Sequence, residues 1–85
     1  MIINLTECLD QFDNIMQIGD IVLYRPEGRS PSTYKGKIKT IQLKTGEKFA
    51  DIVLTITAVS SPYDKVRIGI DTKKLSSANV FALQP

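Results

Sequence analysis

The 85-residue sequence predicts a mainly β, α+β domain. An N-terminal amphipathic helix over residues 5–16 is expected to pack on a small five-stranded sheet or partly open barrel formed by residues 19–84. Three observations predict this. Apolar residues in the first sixteen positions recur at helical spacing. From Gly19 onward they fall in short alternating runs, and those runs are separated by segments rich in Gly, Pro, Ser and Asp. With no internal repeat or linker, residues 1–85 read as one domain.

The helix prediction rests on Leu5, Cys8, Leu9, Phe12, Ile15 and Met16, which form an i, i+3, i+4, i+7 stripe. Asn4 and Glu7 have the spacing of a capping box, Asp10 and Asp13 join Glu7 on the polar side, and Gly19 ends the pattern. About three turns do not persist alone in water, so the helix is expected to dock on the domain's own sheet, the lesser alternative being a partner or a second copy of the chain.

Ile21–Tyr24 reads as the first strand, with Ile21 and Leu23 on one side and Val22 and Tyr24 on the other. Pro26 ends it, and Arg25 to Thr33 (RPEGRSPST) reads as a loop. In YKGKIKTIQLKTGEKF, Ile38 and Ile41 have opposite parity, so a β-bulge near Lys39–Thr40 is expected to bring both to the core. Thr45-Gly46-Glu47 is a tight turn. Ala50–Val59 is the longest strand; both of its faces are fairly apolar, which predicts a central strand covered on both sides, with the helix on one. SSPYD turns the chain into VRIGI, where Val66, Ile68 and Ile70 share one parity and predict a half-buried strand. KKLSSAN is a short connection, and Val80–Leu83 is the final strand.

Composition narrows the function. There is no histidine, so the usual acid/base group at neutral pH is missing, and no carboxylate cluster or Cys/His spacing suggests a metal site. The lone Cys8 lies on the apolar stripe without an activating base, and the five glycines are too scattered to form a phosphate-cradling loop. The chain is therefore expected to be non-enzymatic, without cofactor or metal. No apolar run approaches the ~18 residues of a membrane span, and the first residues carry no basic leader. With one cysteine no internal disulfide is possible. These features predict a cytoplasmic protein.

Charge is unevenly distributed. Residues 1–20 carry Glu7, Asp10, Asp13 and Asp20 and no Lys or Arg, whereas residues 25–48 hold Arg25, Arg29, Lys35, Lys37, Lys39, Lys44 and Lys48 against Glu27 and Glu47. A basic block this dense attracts phosphate; alternatively, it is a solvated hairpin whose lysines discourage edge aggregation. Lys35, Lys37 and Lys39 share one parity and would line one face as a cationic ladder. Tyr24 and Tyr34 bracket the loop carrying Arg25 and Arg29, so their rings could form a stacking platform beside that charge. The predicted contacts are Arg25, Arg29, Lys35, Lys37 and Lys39 to phosphates and Tyr24 and Tyr34 to bases, with Arg67 as a secondary candidate on VRIGI.

Two stretches resemble known families. GD-IVLY, a polar loop, KGKI-x-x-I and then a long strand resemble SH3-like barrels of the KOW and Tudor type. The run KTGEKF…DIVLTITAV…KVRIGID-x-K, within residues 44–74, is similar to the carbon storage regulator family. Its matching residues are Gly46, Glu47, Ile52, Leu54, Ile56, Val59 and Val66 to Ile70. That resemblance implies an interlaced β-dimer that binds GGA-type RNA and blocks translation. In departure from that family, about forty residues precede the match, and NVFAL offers no cation where the family reads RNA with arginine. The expected function is a small binding module for single-stranded RNA, a regulator of gene expression. The alternative is an SH3-like protein-interaction module acting as a homodimer or adaptor.

Overall fold

The computed structural model describes residues 1–25, 33–60 and 67–83. Among the described residues eight strands form: β1 (Ile2–Leu5), β2 (Glu7–Leu9), β3 (Ile15–Gln17), β4 (Ile21–Tyr24), β5 (Tyr34–Lys44), β6 (Asp51–Val59), β7 (Leu75–Ser76) and β8 (Val80–Ala82). A single 3₁₀ turn, Ser77–Asn79, joins the last two. The main sheet runs β7-β6-β5-β4-β8, with β1 on the far end of β5; β2 and β3 form a separate hairpin. β7 and β8 do not pair, so the sheet stays open where a partly closed five-stranded barrel was expected.

β5 organises the sheet. β4 occupies one stretch of its edge, Tyr34–Lys37, and β1 another, Ile41–Lys44, while β6 lies along its opposite edge. The register with β6 shifts between Ile38 and Thr40, where the parity of the sequence required a bulge, and both Ile38 and Ile41 are buried. With Met16, Val22, Ile52, Leu54, Leu75 and Val80 they form one core cluster. The inward face of β6 (Ile52, Leu54, Ile56) is buried, but Val53 and Thr55 are only half-buried and Thr57 is exposed. The strand is therefore not covered on both faces as expected.

The predicted N-terminal helix does not form. Leu5 ends β1, and residues 7–17 make the β2–β3 hairpin, with Cys8 opposite Met16 and Leu9 opposite Ile15. Cys8 and Met16 face the core, whereas Leu9 and Ile15 are mostly exposed. In so short a window the same apolar residues satisfy a period of two across a turn as well as a period of 3.6. Asp10 decides between them. Its carboxylate accepts the backbone N–H groups of Phe12 (2.8 Å) and Asn14 (2.9 Å), which closes the turn, and Asp13 takes a left-handed φ of 63°. Aspartate and asparagine bond neighbouring backbone more readily in turns than in helices.

The same carboxylate ties the hairpin to the sheet edge by accepting Ala82 N–H at 3.0 Å, and Gln11 Nε2 donates to the Ala78 carbonyl. Burial pushes the Asp10 carboxyl up, but the backbone donors of Asn14, Ala82 and Phe12 together with the Asn14 amide outweigh it. The net shift is below the usual aspartate range.

VRIGI is not a strand in its described part; Lys65 and Val66, like the SSPYD turn and most of the Arg25–Thr33 loop, lie outside the described residues. Ile70 N–H bonds Arg67 C=O across a turn in which Gly69 has φ 87°, a conformation a side chain would strain. Ile68 and Ile70 are 47% and 56% exposed. The segment then runs irregularly along β6, through Gly69 N–H to Ile56 C=O, Ile56 N–H to Ile70 C=O and Thr72 N–H to Leu54 C=O. Regular pairing resumes only at β7.

Two substitutions test this packing. Asp10→Ala leaves the donors of Phe12, Asn14 and Ala82 without their acceptor and should lower unfolding stability by about 2–3 kcal/mol in urea titration. Because its folded pKa is depressed, the Asp10 contribution is complete above the ordinary aspartate range and is lost as pH falls through the lower folded value. The wild-type advantage over Asp10→Ala should therefore shrink only below about pH 4. Gly36→Ala would set a Cβ 2.9 Å from Leu54 Cβ and 3.3 Å from the Thr55 carbonyl, and should cost about 1–3 kcal/mol in the same assay.

Candidate nucleic-acid interface

Alternation along β5 sorts the predicted site residues. Tyr34, Gly36 and Ile38 point into the core, so Lys35 and Lys37 project from the opposite, open face and are exposed. Directly opposed residues share a face. One row therefore crosses three strands as Phe81–Leu23–Lys35, and the next runs Ile21–Lys37–Thr55–Asp71. Arg25, exposed, lies two residues beyond Leu23 along the chain, just past the end of β4. The Phe12 ring at the hairpin tip stands 6.1 Å from the Phe81 ring, tilted by 35°. Phe12, Leu23, Arg25 and Phe81 line a groove of about 610 Å³, with Asp10 and Asn14 on its hairpin side.

The lysine ladder is only partly available. Lys39 Nζ lies 2.5 Å from Asp71 Oδ2, and Thr55 Oγ1 donates to Asp71 Oδ1 at 2.7 Å. These hydrogen bonds from Lys39 and Thr55 hold the Asp71 carboxyl below its usual range. Lys39 is thus compensated locally, by an acid on the irregular segment after Gly69. Arg29 lies outside the described residues.

Tyr24 and Tyr34 are register partners with stacked rings, 6.0 Å apart and inclined by 23°. They lie on the core side of the sheet, away from Lys35 and Lys37, and Tyr34 is only 5% exposed. The expected platform beside the lysines is therefore corrected: the tyrosines stack on each other, and the guanidinium of Arg67 lies 5.9 Å over the Tyr34 ring. Arg67 belongs to that side too. The aromatic residues that do share the open face, Phe81 and Phe12, are ones the sequence reading missed. Phe81 was recoverable by parity, since its neighbours Val80 and Ala82 suit the core; Phe12 was hidden by the helix assignment.

Cys8 is half-buried against the core, and burial together with the Asp10 charge pushes its thiol pKa up, which keeps it protonated and a poor nucleophile. Among the described residues no three His, Cys, Asp or Glu side chains gather as a metal site, and no helix is long and apolar enough to cross a membrane. Comparisons with protein-family models, with curated proteins and with solved structures find no match to this chain.

Proposed function

We propose that the protein is a non-enzymatic binding module for single-stranded nucleic acid, RNA foremost, acting on gene expression in the cytoplasm. The observation that carries this reading is the row Phe81–Leu23–Lys35 with Lys37 beside it and the Phe12 ring over its end. Aromatic faces on an open sheet stack unpaired bases, and cations spaced along the neighbouring strand meet the phosphates that run past them. Lys35, Lys37 and Arg25 take the phosphate role. Phe12 and Phe81 take the stacking role first given to the tyrosines. An open sheet face accepts splayed bases and offers nothing shaped for a duplex groove, which favours single strands.

Fluorescence anisotropy with a labelled ten-nucleotide RNA tests this. Three phosphate contacts should give a slope of log K against log salt of about −2. Lys35→Gln with Lys37→Gln should reduce that slope to about −0.7 without changing the melting temperature. Phe12→Ala should weaken binding about 5-fold or more while leaving the slope alone. Undetectable binding in low salt, or a slope indifferent to the two lysines, removes the reading.

Association between two copies is a second reading with its own observation. Leu9, Ile15, Ile21 and Leu83 are 52%, 60%, 39% and 38% exposed, and the last three line one recess. Sedimentation should then report a dimer that Ile15→Glu dissociates and salt leaves intact.

A further inference from the structure

Among the described residues β1 pairs with β5 alone, which leaves its outer edge without a strand. Extended by one residue, the register sets Met1 opposite Thr45, and Thr45 N–H donates to Met1 C=O at 3.0 Å. Bonded and non-bonded pairs alternate in an antiparallel ladder. Ile3 and Leu5 therefore direct their backbone groups to β5, while Ile2 and Asn4 turn N–H and C=O outward. Thr6 points the same way, but its carbonyl already accepts Ile18 N–H at 3.1 Å. The open edge is thus limited to Ile2 and Asn4. It carries none of the usual protections. β8 is sealed by the Asp10 turn and β7 spans only Leu75–Ser76, whereas Met1 to Thr6 hold no charged side chain, no proline and no bulge. Met1, Ile2 and Ile3 are 92%, 51% and 46% exposed.

We propose that this edge joins two copies of the chain, their β1 strands pairing antiparallel about a two-fold axis at Ile3. Symmetry favours self-pairing, because Ile2 and Asn4 stand on either side of Ile3. In that register Ile2 of one copy lies opposite Asn4 of the other, and the two exchange both backbone bonds on each side of the axis. Centring the pair on Asn4 instead would bring Ile2 against Thr6, whose carbonyl Ile18 already occupies. The side chains agree with the register. Ile3 shares the core side with its β5 partner Leu43, so the seam lays down an apolar row Leu43–Ile3–Ile3–Leu43, with the two isoleucine Cα atoms about 4.5 Å apart. On the open side the row reads Lys44–Ile2–Asn4–Gln42–Asp51, so no charge meets a like charge and its two ends have opposite sign. These matches favour a second copy over a strand of unrelated sequence. Pairing occupies both open edges at once, which closes the assembly at a dimer. Lys35, Phe81 and Ile15 all lie off β1, so this pairing stands or falls separately from nucleic-acid binding and from association through the Ile15 recess.

Sedimentation equilibrium of the full chain should show a monomer–dimer equilibrium with a Kd of about 0.1 mM, in the weak range expected of so small an interface. Amide hydrogen exchange identifies the edge. As concentration rises, the Ile2 and Asn4 amides should gain protection ahead of those of Ile3 and Leu5, which β5 already holds. Ile2→Pro removes an outward N–H without touching a bond to β5, and Ile3→Lys sets two like charges on the axis. Each should weaken dimerisation about tenfold or more, with the circular dichroism of the monomer unchanged. Ile15→Glu should leave this dimer intact. The proposal is overturned by a chain that stays monomeric at about 1 mM, well above the expected Kd, which leaves the edge to a strand of another protein. It is equally overturned by a dimer that Ile2→Pro and Ile3→Lys do not weaken, or by one that Ile15→Glu abolishes.

Discussion

The change of parity inside β5 is the constraint on which the rest of the structure depends. An eleven-residue strand with strict alternation would bring Ile38 and Ile41 to opposite faces and expose one of them. The irregularity between Ile38 and Thr40 removes that conflict, and it also bends the strand. The bend divides one edge of β5 between two partners, β4 before it and β1 after it. At that division Gly19 N–H bonds Ile38 C=O and Ile38 N–H bonds Asp20 C=O, so the backbone stays satisfied where neither strand pairs regularly. A sheet arranged in this way can bury a core on one side while the first half of β5 holds its lysines in water on the other.

Asp10 performs the complementary task at the opposite edge. An edge strand exposes unpaired backbone groups, and β8 is the edge beyond β4. The hairpin turn covers it by supplying an acceptor to Ala82 N–H and a donor to Ala78 C=O. The residue that redirects the chain from helix to hairpin therefore also seals the sheet. This explains why so polar a residue is only 6% exposed. It also fixes the position of Phe12, two residues on, beside Phe81. The aromatic part of the candidate interface is a consequence of how the hairpin is anchored.

Much of the sheet was legible in the sequence, and the failures have physical causes. The strand from Tyr34 and its bulge could be read because the core demands of Ile38 and Ile41 conflict in a way only an inserted residue resolves. The helix over 5–16 was misread because twelve residues hold too few repeats to separate the two periods, and the deciding term was a side-chain turn at Asp10 rather than hydrophobicity. VRIGI failed for a related reason. Three alternating apolar residues support a strand, but the glycine between Ile68 and Ile70 permits the positive φ that turns the chain instead. Placing the tyrosines beside the lysines was an error the sequence itself could correct, since Tyr34 and Lys35 are consecutive and must face opposite ways along a strand. The Lys39–Asp71 pair was not legible, because it depends on how the irregular segment after Gly69 returns along β6.

That pair also shapes how charge is distributed across the open face. Had all three lysines stood uncompensated, the positive potential would have spread evenly along β5 toward β6. With Lys39 held by Asp71, the two lysines of the ladder with no ion pair among the described residues are Lys35 and Lys37, near β4 and β8, where Leu23 and Phe81 lie. Asp71 reaches Lys39 and Thr55 on the open face, while the next residue, Thr72, bonds the Leu54 carbonyl of β6. One carboxylate on the irregular segment therefore trims the charge of the open face. Exposed charges separated by about a Debye length of 8–10 Å influence each other weakly at physiological salt, so such local pairing, more than net charge, decides where an anion is held. The chain's overall charge of +2 understates the open face for that reason.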